Sequence, residues 1–416
     1  MKQVRIGIFG TNRGSDYISA LQANGALVVA LCDKDEFWLN KAKEMVTGEV
    51  ACYTSFDEFL SHPMDAVLLA NYFNEHAPFA IRCLEKGIHV LSECTAAGTM
   101  ADCVALVRAA EKSKAKYMLC ENYPFMKFNR EIKRVCDAGT LGKIIYAEGE
   151  YNHPFAGDNV AAVRRYKPYP NHWRNHNPRS YYLTHSLAPI MYATGANPIR
   201  VSAIPVFYPV QDPNAVYSSY CGDRLSVITT MNDDGSAFKF TGTAGYGGGG
   251  NSYRVCGVNG QIENLRGMGG QVMLRYNKWS IPEGAEKRET LYTPSWNHPR
   301  EDLIEKEGHG GGDFLVIEEF LNCIIEDRKP DFDAYFATRM SAVAILAHRS
   351  LLERGVPYDV PDFRKEEDRV KWEKDTLSPY YGADGSEPTL PCCSKTDFKP
   401  LDSQWNNYME AIKDRE

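Results

Sequence analysis

The sequence lacks the features that mark several common classes of protein. No apolar run reaches the roughly 18–20 residues that a membrane-spanning helix needs. The opening MKQVRIGIFG passes directly into a strand-like pattern and carries no signal-peptide profile. Basic residues are not in excess, since 47 Lys and Arg stand against 54 Asp and Glu, so no charge pattern indicates nucleic acid. We therefore expect a cytoplasmic protein with neither a membrane nor a nucleic-acid partner.

Disulfide and metal motifs are also missing, although the chain has 12 cysteines. The cysteines are scattered through apolar stretches, and the adjacent pair Cys392-Cys393 lacks the C-x-x-C spacing of a zinc or redox site. His172 and His176 are four residues apart with no carboxylate nearby, which leaves a metal set incomplete. We expect reduced thiols and no metal site.

What the first part of the chain does have is short apolar runs that alternate with helical spacing. A length of 416 residues allows two domains and a small extension. The runs Val4–Phe9, Ala26–Cys32, Ala66–Ala70, His89–Ser92 and Tyr117–Cys120 read as buried strands. Strands that alternate with helices indicate βαβ units, so residues 1–122 are predicted to form a doubly wound parallel sheet.

The second part, residues 123–362, follows a different pattern. Strand-like segments with period-two alternation are joined by turn sequences such as Asn232–Gly235 and Val258–Gly260. This pattern predicts an α+β domain with a large, mainly antiparallel sheet. Residues 363–416 are first charged and then rich in Pro, Gly and Ser. Composition leaves open whether this C-terminal extension wraps the body, reaches another subunit or is partly loose.

A degraded dinucleotide-binding turn follows the first strand. Small residues in G-x-G-x-x-G/A permit the tight bend and a close approach to a pyrophosphate. Here Gly10 fits the first position, Asn12 the second and Ser15 the third, with Gly14 one residue early. Asp33 ends the second strand, where a carboxylate binds ribose hydroxyls and repels a 2′-phosphate. The turn and Asp33 together predict an NAD site; the alternative is an ordinary strand–helix turn followed by a surface acid.

The run Gly87–Glu93, followed by Cys94-Thr95-Ala96-Ala97, resembles a segment of the glucose–fructose oxidoreductase/inositol dehydrogenase (Gfo/Idh/MocA) family. The resemblance covers roughly residues 3–362. It implies an N-terminal Rossmann domain and a C-terminal antiparallel-sheet domain with the sugar site. Subunits of that family commonly pair through this sheet, which implies a homo-oligomer. The chain departs from the family pattern where Cys94 replaces a lysine that assists proton transfer and Thr95 replaces a proline.

A closer similarity appears further along the chain. The segments at 121–123, 149–153, 173–174, 182–189 and 309–313 are similar to those of NAD-dependent α-N-acetylgalactosaminidases of glycoside hydrolase family 109, a branch of the same family. The residues implicated there correspond to Glu121, Tyr151, Tyr182 and His185. Branches without glycosidase activity share parts of this pattern, so it identifies the branch better than the substrate.

Oxidation of an alcohol by NAD requires a base for the hydroxyl proton, and histidine suits that role. His185 is the predicted base, at the start of a helix over Ser186–Thr194 that ends at Gly195. Tyr182 and Tyr151 are the other predicted catalytic residues, as proton relays or as hydrogen-bond partners of a pyranose. A capping or core role for His185, and a packing role for either tyrosine, are the alternatives.

The remaining candidates divide into two groups. The predicted cofactor-binding residues are Gly10, Thr11, Asn12, Arg13, Asp33, Asn71, His76, Glu93, Glu121, Trp173 and Arg174. The predicted substrate-binding residues are Asn122, His153, Arg174 and His309.

The leading hypothesis is an NAD-dependent oxidoreductase acting on a hydroxyl of a sugar or glycoside, at ring carbon 3. The first alternative is a glycoside hydrolase in which oxidation at C3 acidifies the C2 proton, the group at C1 is eliminated, water adds, and the ketone is reduced again. Tyr151 would then be the base at C2. The second alternative is a non-catalytic NAD or sugar sensor, suggested by the missing lysine and by Asn12 in the turn.

Overall fold

The structure is a computed structural model, and it describes residues 3–154, 159–216, 219–285 and 287–413. The six strands that come first along the described chain form a parallel sheet. Their order, β3-β2-β1-β4-β5-β6, is the doubly wound order of a Rossmann fold. These strands are β1 Arg5–Phe9, β2 Leu27–Cys32, β3 Ala51–Tyr53, β4 Ala66–Leu69, β5 His89–Ser92 and β6 Tyr117–Leu119. The predicted α/β class of the first part is confirmed.

Helices cover both faces of this sheet. They are α1 Thr11–Gly14, α2 Ile18–Ala23, α3 Glu36–Met45, α4 Phe56–Phe59, α5 His76–Glu85 and α6 Met100–Lys112. The sequence pattern did not predict α3 or β3. The helix α3 is rich in polar residues, and β3 is an edge strand of only three residues. Neither therefore contains the apolar pattern from which helices and strands were predicted.

The second described sheet has nine strands and is mainly antiparallel, as predicted. Its order is β14-β13-β12-β11-β7-β10-β9-β8-β15, and the pair β7–β10 is parallel. The strands are β7 Ile144–Asn152, β8 Pro198–Phe207, β9 Asp223–Asn232, β10 Ala237–Thr241, β11 Gly250–Gly257, β12 Gly260–Asn264, β13 Val272–Tyr276, β14 Glu289–Tyr292 and β15 Tyr358–Asp359. Both predicted turns are present, one joining β9 to β10 and the other joining β11 to β12.

Helices pack on one face of this sheet, with α9 against β7 and β11 and α12 against β8. The helices of this part are α7 Lys127–Asp137, α8 Val160–Tyr166, α9 Thr184–Thr194, α10 Glu301–Ile304, α11 Gly312–Ile325 and α12 Ala334–Leu352. Gly149 of β7 permits the close approach of α9, because a Cβ there would lie 1.9 Å from the Ser186 carbonyl oxygen.

The helix α9 begins earlier than its sequence predicts. It starts at Thr184 instead of Ser186 and ends, as expected, at Gly195, whose φ is 74°. Pro189 therefore lies beyond the first turn, and its ring nitrogen cannot donate to the carbonyl of His185. The Tyr253 hydroxyl donates to that carbonyl instead, over 2.6 Å. A side chain from β11 thus supplies the hydrogen bond that the proline removes, at the backbone of the predicted base His185 itself.

The C-terminal extension packs on the rest of the chain through α13 Glu366–Trp372 and α14 Asp402–Lys413. Tyr380 and Tyr408 are buried, and Arg349 of α12 pairs with Asp375 at 2.5 Å. Of the three arrangements that composition left open, the described part of the extension adopts the one that wraps the body.

Several absences hold for the described residues. None of their helices is long and apolar enough to cross a membrane. All the cysteines lie within the described ranges, and none of them forms a disulfide. No group of three or more His, Cys, Asp or Glu side chains in the described ranges could hold a metal ion.

Candidate active site

A cavity of about 600 Å³ lies between the two sheets. Its floor is formed by residues that follow β1, β2, β4 and β5, at the carboxyl edge of the parallel sheet where open α/β folds bind ligands. Its opposite wall is formed by residues 159–185, which include α8 and the start of α9. The cavity therefore brings together residues that are far apart in sequence.

His185 lies in this wall, and both of its ring nitrogens have partners. Nδ1 is 2.8 Å from Glu121 Oε1, and Nε2 is 3.2 Å from the Tyr182 hydroxyl. The histidine is the second residue of α9, and Tyr182 precedes that helix. The helix start thus places both residues of the predicted Tyr-x-x-His pair at the cavity, while Glu121 holds the ring from behind.

The Glu121 side chain is fully buried and accepts from three donors. Besides His185, these are the Cys94 thiol at 3.0 Å from Oε2 and the Tyr123 amide at 3.3 Å from Oε1. Burial, together with the carboxylates of Glu121 and Glu93, raises the pKa of Cys94, so its sulfur keeps the proton that it donates. A carboxylate with these donors accepts from Nδ1–H, which leaves the lone pair of His185 on Nε2.

Three tyrosine rings enclose the His185 imidazole. Tyr123 stacks on it with ring centroids 4.0 Å apart, and Tyr151 and Tyr182 meet it edge-on. Burial raises the pKa of Tyr151 to about 12, and burial also raises the pKa of Tyr182 well above its ordinary value. Both phenols are therefore neutral at neutral pH and can donate hydrogen bonds. The Tyr182 hydroxyl donates to His185 Nε2.

Glu93 and Arg13 form an ion pair on the cavity floor, with Nε 2.6 Å from Oε1. Glu93 also accepts from the Tyr17 hydroxyl and from the amide of Cys94. Burial alone would raise the pKa of Glu93, but Arg13 and these donors outweigh it and bring the value down to about 2. Glu93 is thus a permanent anion that fixes Arg13 beside the cavity.

His309 and Asp313 form a second pair at the rim. His309 Nδ1 is 2.8 Å from Asp313 Oδ2, and the amide of Asn122 donates to Oδ1 over 2.6 Å. Burial lowers the pKa of His309, but the hydrogen bond and charge of Asp313 outweigh it, so the net shift is upward. Asp313 lies in the first turn of α11 but is not its N-cap, which is Gly311, and its carboxylate binds His309 and Asn122 instead.

Comparisons with known proteins agree with this arrangement. A model described as the oxidoreductase family with an NAD-binding Rossmann fold matches residues 4–120, and one described as glycosyl hydrolase 109, C-terminal domain, matches residues 250–373. The two matches confirm the resemblance to the glucose–fructose oxidoreductase/inositol dehydrogenase family and to its glycoside hydrolase family 109 branch. Relatives called glycosyl hydrolase family 109 protein include one from Solibacter usitatus, 25% identical over 89% of either chain, and one from Shewanella pealeana, 23% identical over 88% of this chain and 86% of its own.

Solved structures share the fold of this family. A levoglucosan dehydrogenase in complex with NADH and L-sorbose superposes with a TM-score of 0.73 at 16% identity, over 87% of this chain and all of its own. An oxidoreductase from Agrobacterium radiobacter, in complex with NAD+, L-tartaric acid and magnesium, has a TM-score of 0.69 at 15% identity, over 86% of this chain and 99% of its own. These likenesses confirm the predicted two-part fold.

The residues at the floor of the cavity fit the NAD that the family binds. Both amide atoms of Asn71 are buried without a hydrogen-bond partner among the described residues, although Asn71 lines the cavity. No described carboxylate lies within ion-pair distance of the Arg174 guanidinium, which covers the Trp173 ring at 4.3 Å. A buried amide and a cation without a counter-ion are groups that a polar, anionic dinucleotide would satisfy.

The turn after β1 uses its small residues differently from the predicted assignment. Gly10 has φ 90°, and a Cβ there would lie 2.4 Å from the backbone of Ala70. Ser15 was assigned to the third position, but the small residue that contacts the strand is Gly14, where a Cβ would lie 2.4 Å from the Ile8 side chain. The expected ribose-binding residue Asp33 lines the cavity, and its Oδ2 also accepts from the amide and hydroxyl of Thr11 at 2.6 and 3.0 Å.

Most of the predicted site residues line the cavity, but three of them do not. Those at the cavity are Gly10, Asn12, Arg13, Asp33, Asn71, His76, Glu93, Tyr151, His153, Trp173, Arg174, Tyr182, His185 and His309. Thr11, Glu121 and Asn122 are buried behind it. Each binds a residue that does line the cavity or its rim pair: Thr11 binds Asp33, Glu121 binds His185, and Asn122 binds Asp313. These three residues therefore position other side chains. Glu121 is buried behind the cavity, so the structure does not place it where it would contact the cofactor directly.

Sequence reasoning missed part of the cavity wall. Lys34 lies over the rings of Tyr72 and Tyr169, at 4.2 and 5.5 Å from their centroids. Arg165 and Tyr166 of α8 also line the cavity. Lys34 directly follows Asp33, and Tyr72 directly follows Asn71, so proximity to predicted residues could have indicated both. Nothing in the sequence around α8 indicated its position.

Proposed function

We propose that the protein oxidises a hydroxyl group, at ring carbon 3, of a sugar or glycoside, with His185 as the base and NAD as the redox cofactor. The observation that carries this proposal is the Glu121–His185–Tyr182 arrangement at the cavity wall. An imidazole held by a buried carboxylate, with its lone pair on the nitrogen that faces a ligand cavity, has the geometry of a general base.

The proton and the hydride take different routes in this reaction. NAD, when bound, supplies the acceptor for the hydride that leaves the substrate carbon. His185 Nε2 accepts the hydroxyl proton, while Glu121 stabilises the imidazolium that forms because its carboxylate is 2.8 Å from Nδ1. Tyr182, whose hydroxyl is 3.2 Å from Nε2, either relays that proton or yields its place to the substrate hydroxyl.

The substrate end of the cavity is rich in hydrogen-bond donors. Tyr151, His153 and Arg174 lie beside His185, and His309 lies at the rim. The aromatic rings of Trp173 and Phe73, which also line the cavity, stack with their centroids 4.8 Å apart and add an apolar surface. Sugars combine apolar ring faces with dense hydroxyl groups, so this lining suits a pyranose, and we infer that these residues bind it.

The second candidate reaction is hydrolysis of a glycoside through transient oxidation at C3. It is favoured by the match of residues 250–373 to the C-terminal domain of glycosyl hydrolase 109 and by the names of the relatives. In this reaction Tyr151 would remove the C2 proton. Because burial raises the pKa of Tyr151 to about 12, its phenol is neutral at neutral pH and must first lose its own proton before it can accept the one from the acidified carbon next to the C3 ketone.

The test is to record the absorbance of the reduced nicotinamide and the release of aglycone together, using the purified protein with a panel of sugars and aryl glycosides. Accumulation of reduced cofactor without aglycone supports the dehydrogenase. Aglycone released without net change of the cofactor supports the hydrolase. Neither signal, with NAD bound, rejects both reactions and favours a sensor.

We also propose that the chain forms a homo-oligomer through the open face of its large sheet. On this face Ile204 and Met231 are 63% and 58% exposed, and Glu148 pairs with Lys239 and Arg254. Apolar and charged side chains in alternating rows suit a self-complementary interface. Light scattering should give a mass above that of the monomer, and Ile204→Arg should lower it; a monomeric wild-type protein would reject the proposal.

A cytoplasmic location is proposed on the chemistry of the thiols. Cys221 and Cys393 are both buried and in hydrogen-bond contact, yet neither forms a disulfide. Thiols this close remain reduced where the compartment itself is reducing. Fractionation of cells that express the natural gene, with detection by antibody, would test the location; recovery with an oxidising compartment would reject it.

A further inference from the structure

The helix α8 of the second part of the chain is bound to the dinucleotide turn. The Asn12 side-chain amide donates to the Arg165 carbonyl over 3.1 Å, and Arg165 Nε donates back to Asn12 Oδ1 over 3.2 Å. A third, longer bond runs from the Arg165 guanidinium to the Asn12 carbonyl at 3.4 Å. Both residues line the cavity, so these bonds cross its nucleotide end.

The rest of the Arg165 guanidinium also faces the Rossmann domain. It lies 3.6 Å from Asp16 Oδ1 and 5.4 Å from the ring centroid of Trp38. Asn12 stands where a dinucleotide turn usually has its second glycine, and a glycine has no side chain with which to hold Arg165. The departure from the consensus is therefore the residue that makes the contact possible.

The C-terminal helix supports α8 from its other side. Arg164 Nε donates to the Ala411 carbonyl over 2.6 Å, and the buried Tyr408 hydroxyl donates to the Lys167 carbonyl over 2.7 Å. Tyr408 also accepts from the amide of Asn175 at 3.0 Å. Because α14 binds the Arg164 side chain and the Lys167 carbonyl, on either side of Arg165, α8 cannot shift without breaking its contacts with both α14 and the dinucleotide turn.

We propose that Asn12 and Arg165 form a clasp that closes the nucleotide end of the cavity and retains NAD between turnovers. The proposal rests on the NAD site and is independent of which substrate the protein takes. A cofactor beneath the clasp leaves only when the Asn12–Arg165 bonds open, so these two residues control its rate of dissociation. Slow exchange suits a reaction in which the cofactor is reduced and then oxidised again within one cycle.

The test measures dissociation of NADH from the full-length protein. Protein loaded with NADH is mixed with excess NAD+, and the loss of energy transfer from Trp38 and Trp173, which line the cavity, is followed by stopped flow. We expect Asn12→Gly and Arg165→Ala each to raise the dissociation rate constant about tenfold, as the loss of one or two hydrogen bonds implies. The double variant should be no faster than the faster single variant, because both changes break the same contact.

Asn12→Gly makes this test decisive, since it restores the usual glycine. If Asn12 were only an imperfect substitute for glycine, dissociation would become slower, and that result would overturn the clasp. Effects of the two changes that multiply would also overturn it, because they would indicate separate contacts with the cofactor. Arg134→Ala, which breaks a surface pair with Glu131, is the control and should leave the rate unchanged. Failure of the wild-type protein to bind NADH would overturn the proposal together with the cofactor site, whereas failure to turn over sugars would not affect it.

Discussion

His185 Nδ1 lies 2.8 Å from Glu121 Oε1, and the Glu121 side chain is fully buried. Glu121 lies two residues after β6, the last strand of the parallel sheet, and His185 is at the start of a helix that packs on the other sheet. The pair therefore joins the two parts of the molecule at the cavity. It also sets the ring orientation and tautomer of the proposed base, and several predictions about this chain depend on it.

The first prediction concerns the carboxylate. Glu121→Gln keeps the size of the side chain but offers an amide that can also donate, so it allows the tautomer with the proton on Nε2. We expect kcat to fall about 100-fold or more, with dissociation of NADH changed less than about threefold, since Glu121 lies behind the cavity. Steady-state kinetics and fluorescence titration measure the two quantities. Glu111→Gln, on the surface of α6, is the matched control; a normal kcat in Glu121→Gln would contradict the assigned tautomer.

The second prediction concerns the thiol that stands in the position of the family lysine. Cys94 donates to Glu121 Oε2 over 3.0 Å, so it is a positioning residue and not a source of charge. Cys94→Ala should lower kcat about tenfold with little change in KM, as loss of one hydrogen bond to a charged group implies. Cys94→Ser should restore most of the activity, because a hydroxyl donates to the same oxygen. Equal activity of the Ala variant and the wild type would remove Cys94 from the mechanism.

The third prediction concerns the proline in α9. Tyr253→Phe removes the only described donor to the His185 carbonyl and should lower the free energy of unfolding by about 1–2 kcal/mol. Adding Pro189→Ala should recover part of this loss, because alanine has the amide that the proline lacks. Denaturant unfolding followed by fluorescence measures the effect. Tyr181→Phe is the control, since that buried hydroxyl has no hydrogen-bond partner among the described residues; an equal loss in both variants would contradict the account.

The fourth prediction concerns the rim pair. Asp313 raises the pKa of His309 above its ordinary value, so this histidine should titrate at a higher pH than a free one. Because the folded-state pKa is raised, the pair stabilises the fold at pH below the unfolded value, and that contribution disappears as the pH rises through the folded value. Nuclear magnetic resonance of labelled histidines measures the midpoint. Asp313→Asn should lower it, and an unchanged midpoint would contradict the pairing.

Much of the fold follows from local sequence patterns. The apolar runs at Val4–Phe9 and His89–Ser92 predict strands because a parallel sheet buries both faces, so its strands are continuously hydrophobic. The strand β3 and the helix α3 were missed because an edge strand of three residues and a polar helix lack that signal. Turn chemistry predicted the β9–β10 and β11–β12 hairpins, which need only local conformations.

The site could be predicted less completely, since its contacts join distant segments. The pair Tyr182 and His185 was identified through the resemblance to glycoside hydrolase family 109, and the structure brings both residues to the cavity. The position of Glu121 behind His185 depends on how two sheets pack, over a separation of 64 residues. The contact of Asn12 with Arg165 spans 153 residues and has no local signature. Long-range pairs of this kind are set by tertiary packing, which a single sequence does not encode in any short pattern.

The measurement that tests the central claim most directly is a single-turnover experiment with NAD-loaded wild-type protein and His185→Ala. Each is mixed with the sugar or glycoside of the panel that gives the strongest signal, and the reduced-nicotinamide absorbance is recorded. The account predicts a rapid rise in the wild type and none in His185→Ala, with NADH bound equally well by both. A rise of the same rate in the two proteins would show that His185 is not the base and would contradict the account.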